Sequence, residues 1–321
     1  MKLLIAYDGS ENAAVMINDL PLAGFPNQSE ALVLSVGNGL PSADHTITEI
    51  ENSEVCCCQR EDIQTLAAQA CVEIKSIFPD WQVSPLAVTG VPAQQILEKA
   101  DQWRPDLIVV GSHRRSKLGR FLLGSVSEQV VREAHCSVRV ARGGMDELLE
   151  RMGIGTAQRS VYEKKNHPVR IIIGMDGSTG ALAAVDMICT RVWPAGTKVQ
   201  LFSSISKLSP AEAIVGQSVG NLAPPTTLET NHEKLYYLLT VQQSLEEKLR
   251  ATGLNVISTV KEGDPKKLLI EQAEAWGADA IFVGSTGLNQ PDHRSLGSVS
   301  LTVATNAFCS VEIIRTDRTH I

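Results

Sequence analysis

Aromatic side chains make up only 4% of this chain, which leaves little material for stacking the bases of single-stranded nucleic acid. Basic charge is not in excess either: 29 Lys and Arg stand against 36 Asp and Glu, a formal charge of −7. A nucleic-acid backbone therefore finds no cationic surface, and no nucleic-acid partner is expected. No apolar run approaches the roughly 18 residues of a membrane-spanning helix, so no membrane is expected. The opening Met1-Lys2-Leu3-Leu4-Ile5-Ala6-Tyr7-Asp8 meets a carboxylate too early for a secretory signal, and a cytoplasmic protein is the expectation. Seven cysteines in 321 residues are too sparse for a disulfide scaffold. Three are consecutive, Cys56-Cys57-Cys58, and adjacent side chains do not easily converge on one ion, so they read as reduced thiols in a loop or helix start. What is present is ordinary globular material. Hydrophobic residues are 43% and charged residues 20%, enough for real cores in roughly two domains.

The second half of the chain restates the first. Ile5-Ala6-Tyr7-Asp8-Gly9-Ser10 returns as Ile173-Gly174-Met175-Asp176-Gly177-Ser178, and Gly90-Val91-Pro92 returns as Gly263-Asp264-Pro265. Asp106–Ser112 returns as Asp279–Ser285, Leu123–Ser127 as Leu296–Ser300, and Cys136-Ser137-Val138 as Cys309-Ser310-Val311. The offset is 168 at the first landmark and 173 at the later ones, so one length change separates two otherwise ordered copies. The copies fall at 1–142 and 168–321. Residues 143–167, opening on a glycine pair, read as a linker in which Asp146–Met152 could form a short helix.

Within each copy, short apolar runs alternate with helical periodicity. Leu3–Tyr7, Ala31–Val36, Gln82–Val88, Leu107–Val110 and Val138–Ala141 read as strands. Ile63, Leu66, Ala67, Ala70, Ile74 and Ile77 are spaced for one helix face, as are Leu235, Leu238, Leu239, Leu245 and Leu249 in the second copy. Ser10 and Ser178 suit helix N-caps, and Pro92 and Pro265 suit first helical turns. The alternation predicts two Rossmann-like, doubly wound α/β domains. Each would have a five-stranded parallel sheet, in the order 3-2-1-4-5, with helices on both faces.

Ligands of such sheets bind beyond the carboxyl ends of the strands, where strand order reverses. Two features stand there in each copy: Asp-Gly-Ser after the first strand, and a Gly-rich stretch after the fourth. In the second copy that stretch runs Gly284-Ser285-Thr286-Gly287, then nine residues, then Gly297-Ser298-Val299-Ser300 opening a helix. Glycines let backbone N–H groups approach a phosphate, and a helix start adds free amides and the positive dipole end. No Gly-Lys-Ser/Thr follows, so this is not a Walker A loop, and no G-x-G-x-x-G turn follows the first strand.

Together these residues resemble a tandem universal stress protein. That family binds ATP through G-x2-G-x9-G-(S/T), a spacing that Gly284, Gly287, Gly297 and Ser298 fit. The resemblance implies that Asp176 faces the adenosine moiety and that backbone at Ser204, where the family often has valine, meets the adenine edge. Gly284 and Gly287 would let the chain pass under ribose and phosphates, while Gly297, Ser298 and Val299 would hold phosphate oxygens. In the first copy Asp8, Val36, Gly111, Gly124, Ser125 and Val126 occupy the matching positions, but Arg114 replaces the second glycine. A side chain there could obstruct the phosphate path or break a turn of positive φ. The run His113-Arg114-Arg115-Ser116-Lys117 could instead supply charge to a polyphosphate, or simply be a solvated loop. Binding is expected in the second copy and stays open in the first.

Blander readings stand beside these. Asp8 and Asp176 could be acidic turn residues next to glycine, His113 and His293 surface histidines, and Cys136 and Cys309 small buried residues. Neither copy offers a nucleophile–base–orienter set, so an enzyme is not declared. The resemblance implies a stress-response protein in which ATP, or ADP or AMP, with Mg2+ where needed, regulates conformation or partners. The alternatives are a slow ATP hydrolase or phosphotransferase, for which Asp264 and Asp292 are the carboxylates to nominate, and a scaffold with vestigial pockets. The resemblance also implies that the last strands, Val138–Ala141 and Val311–Ile314, pair antiparallel as an internal pseudo-dimer, with a homodimer left open.

Overall fold

The computed structural model describes residues 1–37, 54–112, 123–143, 168–205, 231–287 and 296–316. The stretch Asp146–Met152 lies outside them. In the first half, β1 (Lys2–Ala6), β2 (Glu30–Gly37), β3 (Gln82–Thr89), β4 (Leu107–Gly111) and β5 (Ser137–Ala141) alternate with α1 (Glu11–Asp19), α2 (Glu54–Ile77), α3 (Pro92–Trp103) and α4 (Ser125–Glu133). In the second, β6 (Arg170–Gly174), β7 (Lys198–Ile205), β8 (Asn255–Glu262), β9 (Ala280–Gly284) and β10 (Ser310–Ile314) alternate with α5 (Thr179–Cys189), α6 (Asn231–Arg250), α7 (Pro265–Trp276) and α8 (Ser298–Asn306). The consecutive Cys56, Cys57 and Cys58 fall in the first turns of α2.

Local chemistry explains where helices begin. The Ser10 and Ser178 side chains accept from the Ala13 and Ala181 N–H groups, capping α1 and α5. Pro92 and Pro265 occupy first-turn positions of α3 and α7, where a missing N–H costs nothing. Between strand and capped helix the chain reverses through Gly9 and Gly177, with φ of 71° and 84°, a region that residues with a Cβ avoid.

Strand order within each half is 3-2-1-4-5, with parallel neighbours throughout. The halves join because β5 and β10 pair antiparallel, Val140 facing Val311, Arg139 facing Glu312 and Val138 facing Ile313. One ten-stranded sheet results, in the order β3-β2-β1-β4-β5-β10-β9-β6-β7-β8.

Alternation along the joining strands sorts their side chains by face. Val138, Val140, Val311 and Ile313 enter one apolar cluster, shared by both halves, under α3, α4, α7 and α8. On the opposite face each half has its own cluster. Met16, Ile17, Ala67, Ala70 and Ile74 serve the first, and Val185, Ile188, Leu245 and Leu249 serve the second. On α6 the buried stripe runs through Leu238, Gln242, Leu245 and Leu249, while Leu239 is 49% exposed. Leu238, Leu245 and Leu249 of the expected face are buried and Leu239 is not; Gln242 completes the stripe as a core residue, its amide donating to the Ser203 hydroxyl at 2.9 Å.

Charge fills the space between the two separate clusters. Arg139 donates to both oxygens of Asp19, at 2.7 and 3.1 Å, and to Glu312 at 3.3 Å. Arg191 reaches Glu312 from the other side, and all four side chains are buried. Burial works against the Arg139 charge, but Asp19 and then Glu312 outweigh it and hold the guanidinium above its usual range. Cys309 is fully buried nearby, and burial pushes its thiol up to about 12. It is the small buried residue expected, whereas Cys136 is half-buried.

Candidate functional site

β6 lies between β7 and β9, and the chain's return from β8 to β9 leaves a crevice at the carboxyl ends of these strands. A cavity of about 370 Å³ opens there. Asp176, Ser204, Gly284, Gly287, Gly297, Ser298 and Val299 all line it. Residues from four separate stretches of the chain thus converge on one cavity.

Hydrogen bonds fix this geometry. Asp176 Oδ1 accepts the Ser178 N–H at 2.9 Å, which ties the carboxylate to the start of α5. Its Oδ2 points toward Gly287: a Cβ built on that glycine would lie 3.0 Å away. Gly287 is not among the glycines of positive φ, so its lack of a side chain serves space beside Asp176 rather than an unusual turn. The Gly297 N–H donates to the Ser285 carbonyl at 2.7 Å, and the Ser300 hydroxyl donates to the Gly284 carbonyl at 2.6 Å. These two bonds close the base of the Gly-rich loop and fasten α8 to the end of β9.

Gly297 is the N-cap of α8 and offers no side chain to its first turn. The amides of that turn and the helix dipole therefore face the cavity, an arrangement that favours an anion such as phosphate. Further into the crevice, Met175, Phe202, Leu269 and Val283 make an apolar wall suited to a flat heterocycle. Sequence reasoning did not name these four. Their apolar pattern is that of core residues, and Phe202, Leu269 and Val283 do pack in the shared core.

The first half places its matching residues at the same end of the sheet. Asp8 follows β1, Val36 lies on β2, Gly111 ends β4, and Gly124 is the N-cap of α4, whose first turn holds Ser125 and Val126. The Ser127 hydroxyl donates to the Gly111 carbonyl at 2.6 Å, as Ser300 does to Gly284. Two differences stand out. Asp8 Oδ1 is bound by both the Ser10 N–H and hydroxyl, at 3.0 and 2.6 Å. Tyr7 replaces Met175, and burial, then Glu73 and Asp8, push its phenol pKa up. Arg114 and its basic neighbours, His113 to Lys117, lie outside the described residues, as do His293 and Asp292. Asp264 accepts the Lys266 N–H at 3.1 Å as the N-cap of α7, a structural role that explains a carboxylate at that position.

The sequence model of the universal stress protein family matches residues 58–142 and 169–315, most of the chain. With this fold and this crevice in view, the chain belongs to the universal stress protein family. Among its relatives is a universal stress protein of Methanocaldococcus jannaschii, 38% identical over 76 residues. That match covers 23% of this chain and 45% of the relative, less than half its length. The universal stress protein YxiE of Bacillus subtilis is 31% identical over 152 residues, covering 44% of this chain and 98% of that one. A crystal structure of a universal stress protein from Archaeoglobus fulgidus superposes with a TM-score of 0.62 at 20% identity. It covers 98% of this chain and 97% of its own, a likeness of fold across both halves.

Proposed function

We propose that this chain is an adenine-nucleotide-binding stress protein whose second half holds the nucleotide, with ATP as the leading ligand and ADP or AMP as competitors for the same crevice. One observation carries the reading: all seven residues that the motif and the family resemblance nominate in the second half line a single cavity of about 370 Å³. Asp176 would meet the ribose or adenine, backbone at Ser204 the adenine edge, and Gly284 and Gly287 the passage beneath. Gly297, Ser298 and Val299 would hold the phosphates through amides and a hydroxyl. In the first half Asp8, Val36, Gly111, Gly124, Ser125 and Val126 form the corresponding, weaker candidate set. Mg2+ would accompany a polyphosphate as its counter-ion.

Nucleotide here regulates conformation or partners rather than driving turnover. Among the described residues the lining has one titratable side chain, Asp176, and its Oδ1 is engaged with Ser178. Phosphoryl transfer needs a positioned base and a metal ligand, and one tethered carboxylate does not supply both. We take 1–142 and 168–321 as the two domains, 143–167 as the linker, and the β5–β10 junction as an internal pseudo-dimer in a cytoplasmic protein. Association into homodimers would use other surfaces.

The test is to purify the chain, release its contents by denaturation, identify any nucleotide, and titrate Mg-ATP by calorimetry. Binding near one equivalent per chain, lost in Gly297→Val, is the expected result. A Cβ at Gly297 would lie 3.1 Å from the Ser285 carbonyl, so valine forces open the base of the loop. Sustained ADP formation over many turnovers, abolished by the same substitution, would replace the regulatory reading with a hydrolase. No nucleotide by either measurement would leave a scaffold with a vestigial crevice.

A further inference from the structure

The repeat offset of 173 makes Arg139 and Glu312 equivalent residues of the two copies, and the register of the junction sets these two opposite each other. On either side, Val138 faces Ile313 and Val140 faces Val311, each pairing with the equivalent of the other's neighbour. The local twofold relation between the halves therefore passes through the Arg139–Glu312 pair. Whatever occupies this position in a symmetric pair of identical copies would face itself. Two first halves would set Arg139 against Arg139, and two second halves would set Glu312 against Glu312, in a place that water does not reach.

Two further contacts repeat this logic with different chemistry. Arg191 crosses the junction and donates to the Ala23 carbonyl at 2.8 Å, and Ala23 is its own equivalent at the offset of 168. Its guanidinium lies between rings of both halves, 5.1 Å from Phe25 and 5.2 Å from Phe282. Beside it, Trp193 fills the space left by Gly24: a Cβ built on Gly24 would stand 2.5 Å from the indole. The second-half equivalent of Gly24 is Val192. A second half meeting its own copy would thus press Trp193 onto a valine and Arg191 onto another arginine.

We propose that this junction is a heterospecific recognition surface: each half accepts the other half and rejects a copy of itself. Three asymmetries at the local axis define the partner that the first half requires. They are an acid at the axis, an arginine where the first half has Ala23, and a large aromatic against Gly24. Asp19 and Arg191 pair with Arg139 and Glu312 from within their own halves, so the charges nearest the axis are balanced inside each half. What discriminates is the direct facing of opposite charges and the fit of tryptophan to glycine, a rejection of wrong partners by repulsion and clash. A duplicated sequence whose copies began alike would need such a rule to favour assembly within one chain over exchange between chains.

The test places a protease site between Gly143 and Pro168, cuts the folded chain, and follows the fragments by native mass spectrometry. The cut protein is mixed with an isotopically heavy copy, partly unfolded in urea, and returned to buffer. Heavy and light fragments are expected to mix only as complexes of one first half with one second half. Homotypic pairs above about a tenth of the assembled population would overturn the proposal, as would fragments that separate and stay apart. Urea titration of the uncut chain decides independently of refolding after cleavage. Glu312→Lys, which gives the axis like charges, should lower the folding constant at least tenfold more than Glu312→Met, which only removes charge. Equal losses in the two variants would overturn the charge rule.

Discussion

At the scale of single residues, the crevice depends on side chains that are not there. Gly287 is the clearest case, because the nearest atom to its missing Cβ is the carboxylate oxygen of Asp176, 3.0 Å away. The first copy carries Arg114 at the matching position, so Gly287→Arg imposes on the second half the difference that sets the first apart. The long side chain would pair with Asp176 and occupy the path between ribose and phosphate. We expect Mg-ATP affinity to fall by at least tenfold, about 1.4 kcal/mol, with the unfolding free energy changed by no more than about 0.5 kcal/mol, since the residue caps no helix and fills no core. Calorimetric titration of the variant beside differential scanning of the free protein separates the two effects. Unchanged affinity would remove Asp176 and Gly287 from the ligand path.

At the scale of elements, the decisive contact is that of α5 with the end of β9. Gly180 and Gly284 meet backbone to backbone: a Cβ on Gly284 would lie 2.9 Å from the Gly180 carbonyl carbon and 3.0 Å from the Ala181 nitrogen. Backbone does not yield as a flexible side chain does. Gly284→Ala should therefore push the start of α5 off the sheet, with a loss of about 1–3 kcal/mol by the usual cost of overpacking. Gly111→Ala, at the equivalent place, meets the Asn12 carbonyl oxygen at 3.2 Å and should cost less. Urea unfolding of the two variants compares them directly, and an equal or reversed order would contradict this account. Such close approaches mark the limit of what was legible in the sequence. Helix starts could be read because Ser10, Ser178, Pro92 and Pro265 act on their own neighbours in the chain. The parallel, doubly wound architecture is legible in the alternation, and the glycine positions in the repeated motif. Gly180, inside a helix, gives no signal, and an apolar pattern points to Leu239 where the polar Gln242 is the buried residue. The apolar wall of Met175, Phe202, Leu269 and Val283 was equally silent. Whether a buried apolar residue faces packed core or a crevice is decided by elements distant in sequence.

At the scale of the whole molecule, the two halves form one continuous sheet and share one of their three apolar clusters. That shared cluster takes residues from β1, β4 and β5 on one side of the junction and from β6, β9 and β10 on the other. On the opposite sheet face the junction is held by Asp19, Arg139, Glu312 and Arg191, all buried. Separating the halves would expose the valines and isoleucines of β5 and β10 and would take from Arg191 the Ala23 carbonyl it now bonds. The Asp19–Arg139 and Arg191–Glu312 pairs stay within their halves and only the Arg139–Glu312 contact is lost, so the main cost of separation is the apolar surface that the junction now buries. Neither half can then unfold while the other keeps its native surface, and heating should give one calorimetric transition rather than two. On the proposed function, the same coupling should carry the effect of a bound nucleotide across the junction. Mg-ATP held in the second half at a hundredfold excess over its Kd should add about 2.7 kcal/mol to the stability of the cooperative unit. Hydrogen exchange distinguishes this from local tightening, because slow amides of β1 and β2 in the first half should gain protection together with those of β6 and β7. Protection confined to the second half, or two resolved transitions on heating, would show that the continuous sheet joins two units that are stable independently.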